Sequence, residues 1–293
     1  MIKIIKFPIV FLALFIFIPF YNIRAEEVED FKINSVLNVP SLKLKGINYI
    51  MDYKSDDVNG DYIKDNIVVI GRYSEELGSA QFEDIKLIIQ DGKTKKYYKA
   101  SPGRFTRGRN GRIFLGDFNG DKILDILLTF NGRSTGYDWY SLISFNKNKA
   151  VHLFKQEDFN MGLSFDLNFT DGFNANVYSK ELNKFYDVDV SNKKGTYGNL
   201  GIYSDRGELL KAQKGISNVV SEIRPVDIDK DGVYEIVMIQ DLSGIVTADV
   251  IAYAKSIWSF KGTGIKLMAL EIIPFATPGS LKKIQRIVPV GNF

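Results

Sequence analysis

The chain has 293 residues, 45% hydrophobic and 25% charged, with no cysteine and a single histidine. That length and apolar content suffice for one large or two modest packed domains, and the absent cysteines exclude disulfides, thiol catalysis and cysteine–zinc sites. Lys3, Lys6 and Arg24 carry the whole formal charge of +3; without them 35 basic residues of the total 38 face 35 acidic ones, which argues against a nucleic-acid footprint.

Met1 to Lys6 is basic, Phe7 to Tyr21 is uncharged and apolar, and Asn22-Ile-Arg-Ala25 leads into Glu26-Glu27. This order predicts a secretory signal over 1–25, cut after Ala25, and one exported domain over 26–293. The alternative is a retained N-terminal anchor, although Phe7 to Tyr21 as a helix would span only about 22 Å against about 30 Å of hydrocarbon. The stretch Glu26 to Lys45 has weak strand character and is expected to close a ring by pairing with the last unit.

Short apolar runs bounded by Asp, Asn and Gly follow, the signal of strands and hairpins. A first unit, about 46–100, runs from Ile47 to Met51, through Asp57-Val-Asn59-Gly-Asp61-Tyr-Ile63-Lys-Asp65, into Ile67 to Ile70 and a hairpin ending at Tyr97-Tyr98. A second, about 110–155, places Asp117-Phe-Asn119-Gly-Asp121-Lys-Ile123-Leu-Asp125 between Ile113 to Leu115 and Ile126 to Phe130. It continues through Tyr140 to Phe145 and Val151 to Phe154, which puts the lone His152 on a strand rather than in a catalytic triad. A unit over 160–212 has strands at Leu163 to Phe169, Phe173 to Tyr178, Phe185 to Val190 and Leu200 to Tyr203, and Asp166 to Gly172 reads as a decayed loop. The last unit, about 222–270, carries Asp227-Ile-Asp229-Lys-Asp231-Gly-Val233-Tyr-Glu235 ahead of Ile236 to Ile239. The tail Leu281 to Phe293 reads as a final strand or a helical turn.

Oxygen-bearing side chains at positions 1, 3, 5 and 9 of a turn can aim several oxygens at one hard cation such as calcium. Three such loops with the same spacing and flanks form a repeat, and the continuous apolarity of each second strand predicts burial of both its faces. An EF-hand is excluded because position 12 is Val68, Leu128 and Met238 and the flanks read as strands. The fold class expected is all-β, a β-propeller-like array of four or five four-stranded units with Asp-rich calcium loops.

At these residues the chain resembles the FG-GAP/VCBS repeat family, the calcium-binding blades of integrin-α-like propellers. The resemblance implies side-chain ligands Asp57, Asn59, Asp61 and Asp65; Asp117, Asn119, Asp121 and Asp125; and Asp227, Asp229, Asp231 and Glu235. It also implies the backbone carbonyls of Ile63, Ile123 and Val233 at position 7. Position 6, often glycine in that family, is Tyr62 and Lys122 in the first two loops, where Gly60 and Gly120 are expected to take the sharp turn instead. The third loop, with four carboxylates and Gly232 at position 6, is expected to hold calcium most tightly.

Function read this way is a secreted or cell-surface binding, adhesion or envelope-structural module, its partner a protein or glycan at the cell envelope. The candidate contact surface is Asn131 to Tyr140, where aromatics and glycines gather, against the simpler reading that Trp139 and Tyr140 begin a strand. A glycan-cleaving enzyme is the alternative, since two carboxylates suffice for that chemistry and Glu75, Glu76, Asp138 and Glu157 lie outside the loops. A purely structural coat or wall protein differs from the first reading only in lacking a specific ligand.

Overall fold

The computed structural model describes residues 31–74, 81–132, 138–155, 157, 162–262 and 264–275. The proposed signal, Glu75 and Glu76, residues 133–137 and the tail from 276 lie outside these residues. What is described is all-β, built as four antiparallel sheets, none of them closed. The first is β1 (Tyr49–Asp56), β2 (Asp65–Tyr73), β3 (Phe82–Gln90) and β4 (Tyr97–Ala100), in that spatial order. The second is β5 (Arg109–Gly116), β6 (Asp125–Asn131), β7 (Asp138–Ser144) and β8 (Val151–Lys155). The third has only β9 (Phe165–Thr170), β10 (Asn174–Ser179) and β11 (Lys184–Asp189). The fourth is β12 (Ile216–Val226), β13 (Glu235–Ser243), β14 (Val250–Ser259) and β15 (Lys266–Pro274).

Each second strand of the four-stranded sheets is apolar on both faces because each face meets a different layer. In β2, Ile67 and Val69 pack with Ile113, Ile126 and Leu128 of the second sheet, whereas Val68 and Ile70 pack with Phe31, Leu37 and Leu42. In β6, Leu127 turns the other way and joins Ile236 and Met238 of β13. None of Ile67–Ile70, Ile126–Leu128 or Ile236–Ile239 is more than 5% exposed. The strand register alternates these side chains across the sheet, and a one-residue slip would exchange the two layers.

Three expectations are corrected. Residues 34–37 pair with the first sheet, through Asn34 N–H to Ile50 O (2.8 Å) and Leu37 N–H to Asn48 O (2.9 Å), so this lead-in caps that sheet instead of joining the last one. The third unit is three-stranded, and its expected fourth strand lies just after a short helix α1 (Lys194–Asn199). Residues 166–170 of the expected decayed loop are part of strand β9 itself; Asp171, whose Oδ1 accepts the Leu209 N–H at 2.7 Å, and Gly172 stand in the turn.

The order of packing also differs from the order of sequence. The second sheet meets the fourth directly, through Tyr234 N–H to Asp117 O (2.7 Å) and Ile223 N–H to the Tyr140 hydroxyl (3.2 Å). The third sheet lies against the lead-in of β12, through Gly215 N–H to Leu167 O and Phe169 N–H to Gln213 O, both 3.0 Å. Gln240 of β13 fastens this junction, accepting the Leu163 N–H at 2.9 Å and donating to Leu163 O at 3.0 Å.

Candidate metal loops

The three Asp loops join the first and second strands of their sheets and share one backbone path. Positions 4 and 6 are left-handed in every loop: Gly60 and Tyr62, Gly120 and Lys122, Lys230 and Gly232, with φ between 62° and 88°. Each loop therefore has one glycine for two such positions, and Tyr62, Lys122 and Lys230 hold a conformation that costs an L residue about 1 kcal/mol. The expectation that one glycine relieves one sharp turn is corrected to two turns per loop.

Backbone amides hold these positions. In the first loop Asp57 accepts the N–H groups of Gly60 and Tyr62, both at 2.8 Å, Asn59 Oδ1 accepts Asp61 N–H at 3.0 Å, and Asp61 Oδ1 accepts Ile63 N–H at 3.0 Å. The second loop repeats this, with Asp117 on Gly120 and Lys122, Asn119 on Asp121, and Asp121 on Ile123. In the third, Asp227 takes Asp231 and Gly232, Asp229 takes Asp231, and Asp231 takes Val233. The position-9 acid closes each loop on the N–H of position 2: Asp65 on Val58, Asp125 on Phe118 and Glu235 on Ile228.

The position-9 acids are buried, and burial raises all three carboxyls above their ordinary values, Asp125 to about 6. What faces them differs. In the first two loops the Asn amide NH2 donates to the buried acid, Asn59 to Asp65 at 3.3 Å and Asn119 to Asp125 at 3.4 Å. An amide NH2 there does part of the work of a cation, and a metal would need the Asn oxygen turned inward instead. The third loop has Asp229 at that position and no such donor. Asp227, Asp229 and Asp231 there each offer an oxygen within 4.8 Å of the others, the one convergence of three acids among the described residues. Glu235 stands outside that trio. An oxygen-only set of this kind fits a hard divalent cation, with Asp227, Asp229 and Asp231 holding it once Lys261 Nζ gives up Asp231 Oδ2.

Turns between the third and fourth strands supply partners that the sequence did not advertise. Asn146 Nδ2 donates to Asp121 Oδ2 at 3.2 Å, and Lys261 Nζ pairs with Asp231 Oδ2. The Lys261 hydrogen bond holds the Asp231 carboxyl below its ordinary value. One residue further on, Lys147 N–H reaches Asn59 O of the preceding loop at 3.0 Å and Gly262 N–H reaches Asn119 O at 3.4 Å. Their matching places in the two units, Asn146-Lys147 and Lys261-Gly262, were the signal available.

The remaining candidates serve the sheets. His152 lies on β8 with Nδ1 3.1 Å from Ser141 Oγ. Trp139 stacks on Phe105 and Tyr140 is buried in β7, so this part of the expected contact surface is packed inward. Asp138 accepts from Asn131, and Glu157 accepts the Arg104 N–H at 3.0 Å.

Fold and site together define a class, an all-β protein of meander sheets, three of which have Asp-lined first loops. The YybI C-terminal domain model matches residues 163–273, the third and fourth sheets. A Bacillus subtilis (strain 168) protein described as "Uncharacterized protein YybI" is 30% identical over 207 residues, covering 70% of this chain and 78% of that relative. The chain belongs to the YybI family. No solved structure matches. The family found is thus not FG-GAP/VCBS, and that resemblance is corrected. It rested on nine-residue turns whose bonds are almost all local, so antiparallel sheets of separate ancestry can arrive at the same spacing.

Proposed function

We propose that the chain is a calcium-binding repeat module that acts outside the cytoplasm, at the cell surface or envelope, by binding a protein or glycan or by building structure. The observation that carries the metal reading is the convergence of Asp227, Asp229 and Asp231. The first two loops are weaker sites of the same kind, since each offers three acids and an Asn whose NH2 faces the buried acid. Sites in extracellular modules commonly bind calcium at about 10⁻⁴ to 10⁻³ M, a range filled outside a cell and empty in its cytosol. The basic, apolar, small-residue order of 1–25 supports export. We read the array of meander sheets as propeller-like and open, a reading supported by the 1-2-3-4 strand order of the four-stranded sheets.

The test is thermal unfolding of the purified chain in calcium and in chelator. A ligand at 10 to 100 times its Kd stabilises by about 1.4 to 2.7 kcal/mol. At about 2–4 °C per kcal/mol for a domain of this size, Tm should rise by about 3–10 °C. Asp231→Ala should remove more of that gain than Asp121→Ala. A Tm indifferent to calcium and chelator returns all three loops to metal-free joints; equal losses from the two variants remove the ranking alone.

A further inference from the structure

Away from the loops, a cleft of about 480 Å³ opens between the lead-in to the first sheet and the strands β2 to β4. Six cations line it: Lys43, Lys45, Arg72, Lys86, Lys99 and Arg107. Among the described residues only Glu83 and Asp84 oppose them there, so these lining residues carry an excess of four positive charges on a chain whose residues 26–293 are balanced. Both acids are already engaged. Glu83 lies 2.8 Å from Arg72 Nη2 and 3.9 Å from Arg107 Nη2, and Asp84 pairs with Lys86. Among the described residues Lys43, Lys45 and Lys99 have no carboxylate within ion-pair distance.

The backbone is shaped to gather these groups. Lys43 and Gly46 are left-handed (φ +47° and +64°), and a Cβ on Gly46 would meet Arg72 Cδ at 2.9 Å, so the lead-in runs directly over the arginine stem. Asp84 is left-handed within β3 (φ +56°), where the pairing with β2 shifts register between Lys86 and Glu83. That bulge re-aims the side chains around it. Lys99 reaches over from β4, its Nζ 3.5 Å from Leu42 O.

We propose that this cleft binds a phosphate-bearing ligand. Guanidinium forks and lysine ammoniums together are the donor set that suits phosphate oxygens, and crowded cations gain from a multiply charged anion between them. The volume exceeds one phosphate and suits a larger ligand that presents it. The shared chemistry admits a soluble phosphate or a lipid headgroup, and the experiment separates these.

In calcium-free buffer, pyrophosphate is titrated by calorimetry, with malonate as the carboxylate comparison, and recruitment to phosphatidylglycerol and phosphatidylcholine vesicles is followed by sedimentation. Pyrophosphate binding without recruitment assigns a soluble ligand; recruitment to phosphatidylglycerol alone of the two lipids assigns a headgroup. The triple variant Lys43→Ala, Lys45→Ala, Lys99→Ala should weaken whichever binding occurs about ten-fold or more through lost charge-assisted bonds. Lys194→Ala, Lys211→Ala, Lys214→Ala lowers net charge equally outside the cleft and should leave binding unchanged. The proposal is overturned if neither phosphate probe binds, if malonate binds as well as pyrophosphate, or if both triple variants behave alike.

Discussion

Gly60→Ala against Gly120→Ala tests whether the first two loops pack on each other as described. The two glycines hold equivalent places with nearly equal φ, +84° and +82°. Placing an L residue there costs each about 1 kcal/mol for the left-handed backbone. The surroundings differ. A Cβ at Gly60 would lie 2.6 Å from Ile123 Cδ1 and 3.2 Å from Ile123 Cγ1, whereas at Gly120 the nearest atom is Lys261 Cγ at an ordinary 3.5 Å. The Ile123 methyl is a side-chain end that can turn aside, so overpacking adds about 1–2 kcal/mol, the lower part of its usual range. Gly120→Ala should therefore cost about 1 kcal/mol and Gly60→Ala about 2–3 kcal/mol. Urea unfolding in chelator, which keeps metal linkage out of the comparison, reads both as changes in midpoint at constant m. Ile123→Val deletes the clashing methyl and should restore most of the difference in the Gly60→Ala background and none in the Gly120→Ala background. Equal costs for the two alanines, or no rescue by valine, would refute the packing of Gly60 on Ile123.

Two further outcomes follow from polar groups at the fourth sheet, half-buried Asp249 in the turn before β14 and buried Gln240 in β13. Burial alone would raise the Asp249 carboxyl, but Lys193, the Ile245 N–H and the Tyr197 hydroxyl hold it below the ordinary 3.8. Its stabilisation is therefore present above that value and lost as pH falls through the lowered one; Asp249→Asn should cost about 3 kcal/mol near neutrality and flatten the acid limb of stability below about pH 4. Gln240→Leu leaves the Leu163 N–H and carbonyl without their amide partner, which should cost about 2–5 kcal/mol and speed hydrogen exchange at the Leu163 amide.

The strands and loops of the four-stranded sheets were legible because their signals are local. Alternation, turn residues and the doubly apolar runs of β2, β6 and β13 are all written within a few residues. Helix α1 was not legible, since Lys194-Gly-Thr-Tyr-Gly-Asn199 holds two glycines and no apolar period. It forms because Tyr197 buries its ring 5.2 Å from that of Phe169 and donates its hydroxyl to Asp249 at 2.7 Å. Those partners lie 28 and 52 residues away, beyond any local pattern. The cleft was hidden for the same reason, since its cations come from the lead-in, three strands and a link; Lys93 to Arg112 is a basic run with no acid, but only Lys99 and Arg107 of it reach the cleft. The FG-GAP/VCBS resemblance failed in the opposite sense, because a local pattern was read as ancestry.

The loop spacing has a physical reason that stands apart from any metal. In the second and fourth sheets the turn between the third and fourth strands touches two loops at once. The turn after β7 gives Asn146 to Asp121 of its own sheet and Lys147 N–H to Asn59 O of the first sheet. The turn after β14 gives Lys261 to Asp231 and Gly262 N–H to Asn119 O in the same way. Lys147 and Gly262 are both left-handed, with φ +53° and +80°, so the two turns present their N–H groups through the same kind of bend. A side chain bonded to position 5 and an N–H bonded to the previous position 3 fix neighbouring sheets relative to each other. By this joint the first, second and fourth sheets are consecutive, although their loops begin 60 and then 110 residues apart. The extra residues hold the third sheet, which has no Asp loop and no joint of this kind and instead pairs with the lead-in of β12. It is better understood as an addition beside a three-sheet row than as a decayed member of it. The YybI C-terminal domain match begins at residue 163, where that addition begins, and ends at residue 273 in β15, so it joins the added sheet to the last of the row.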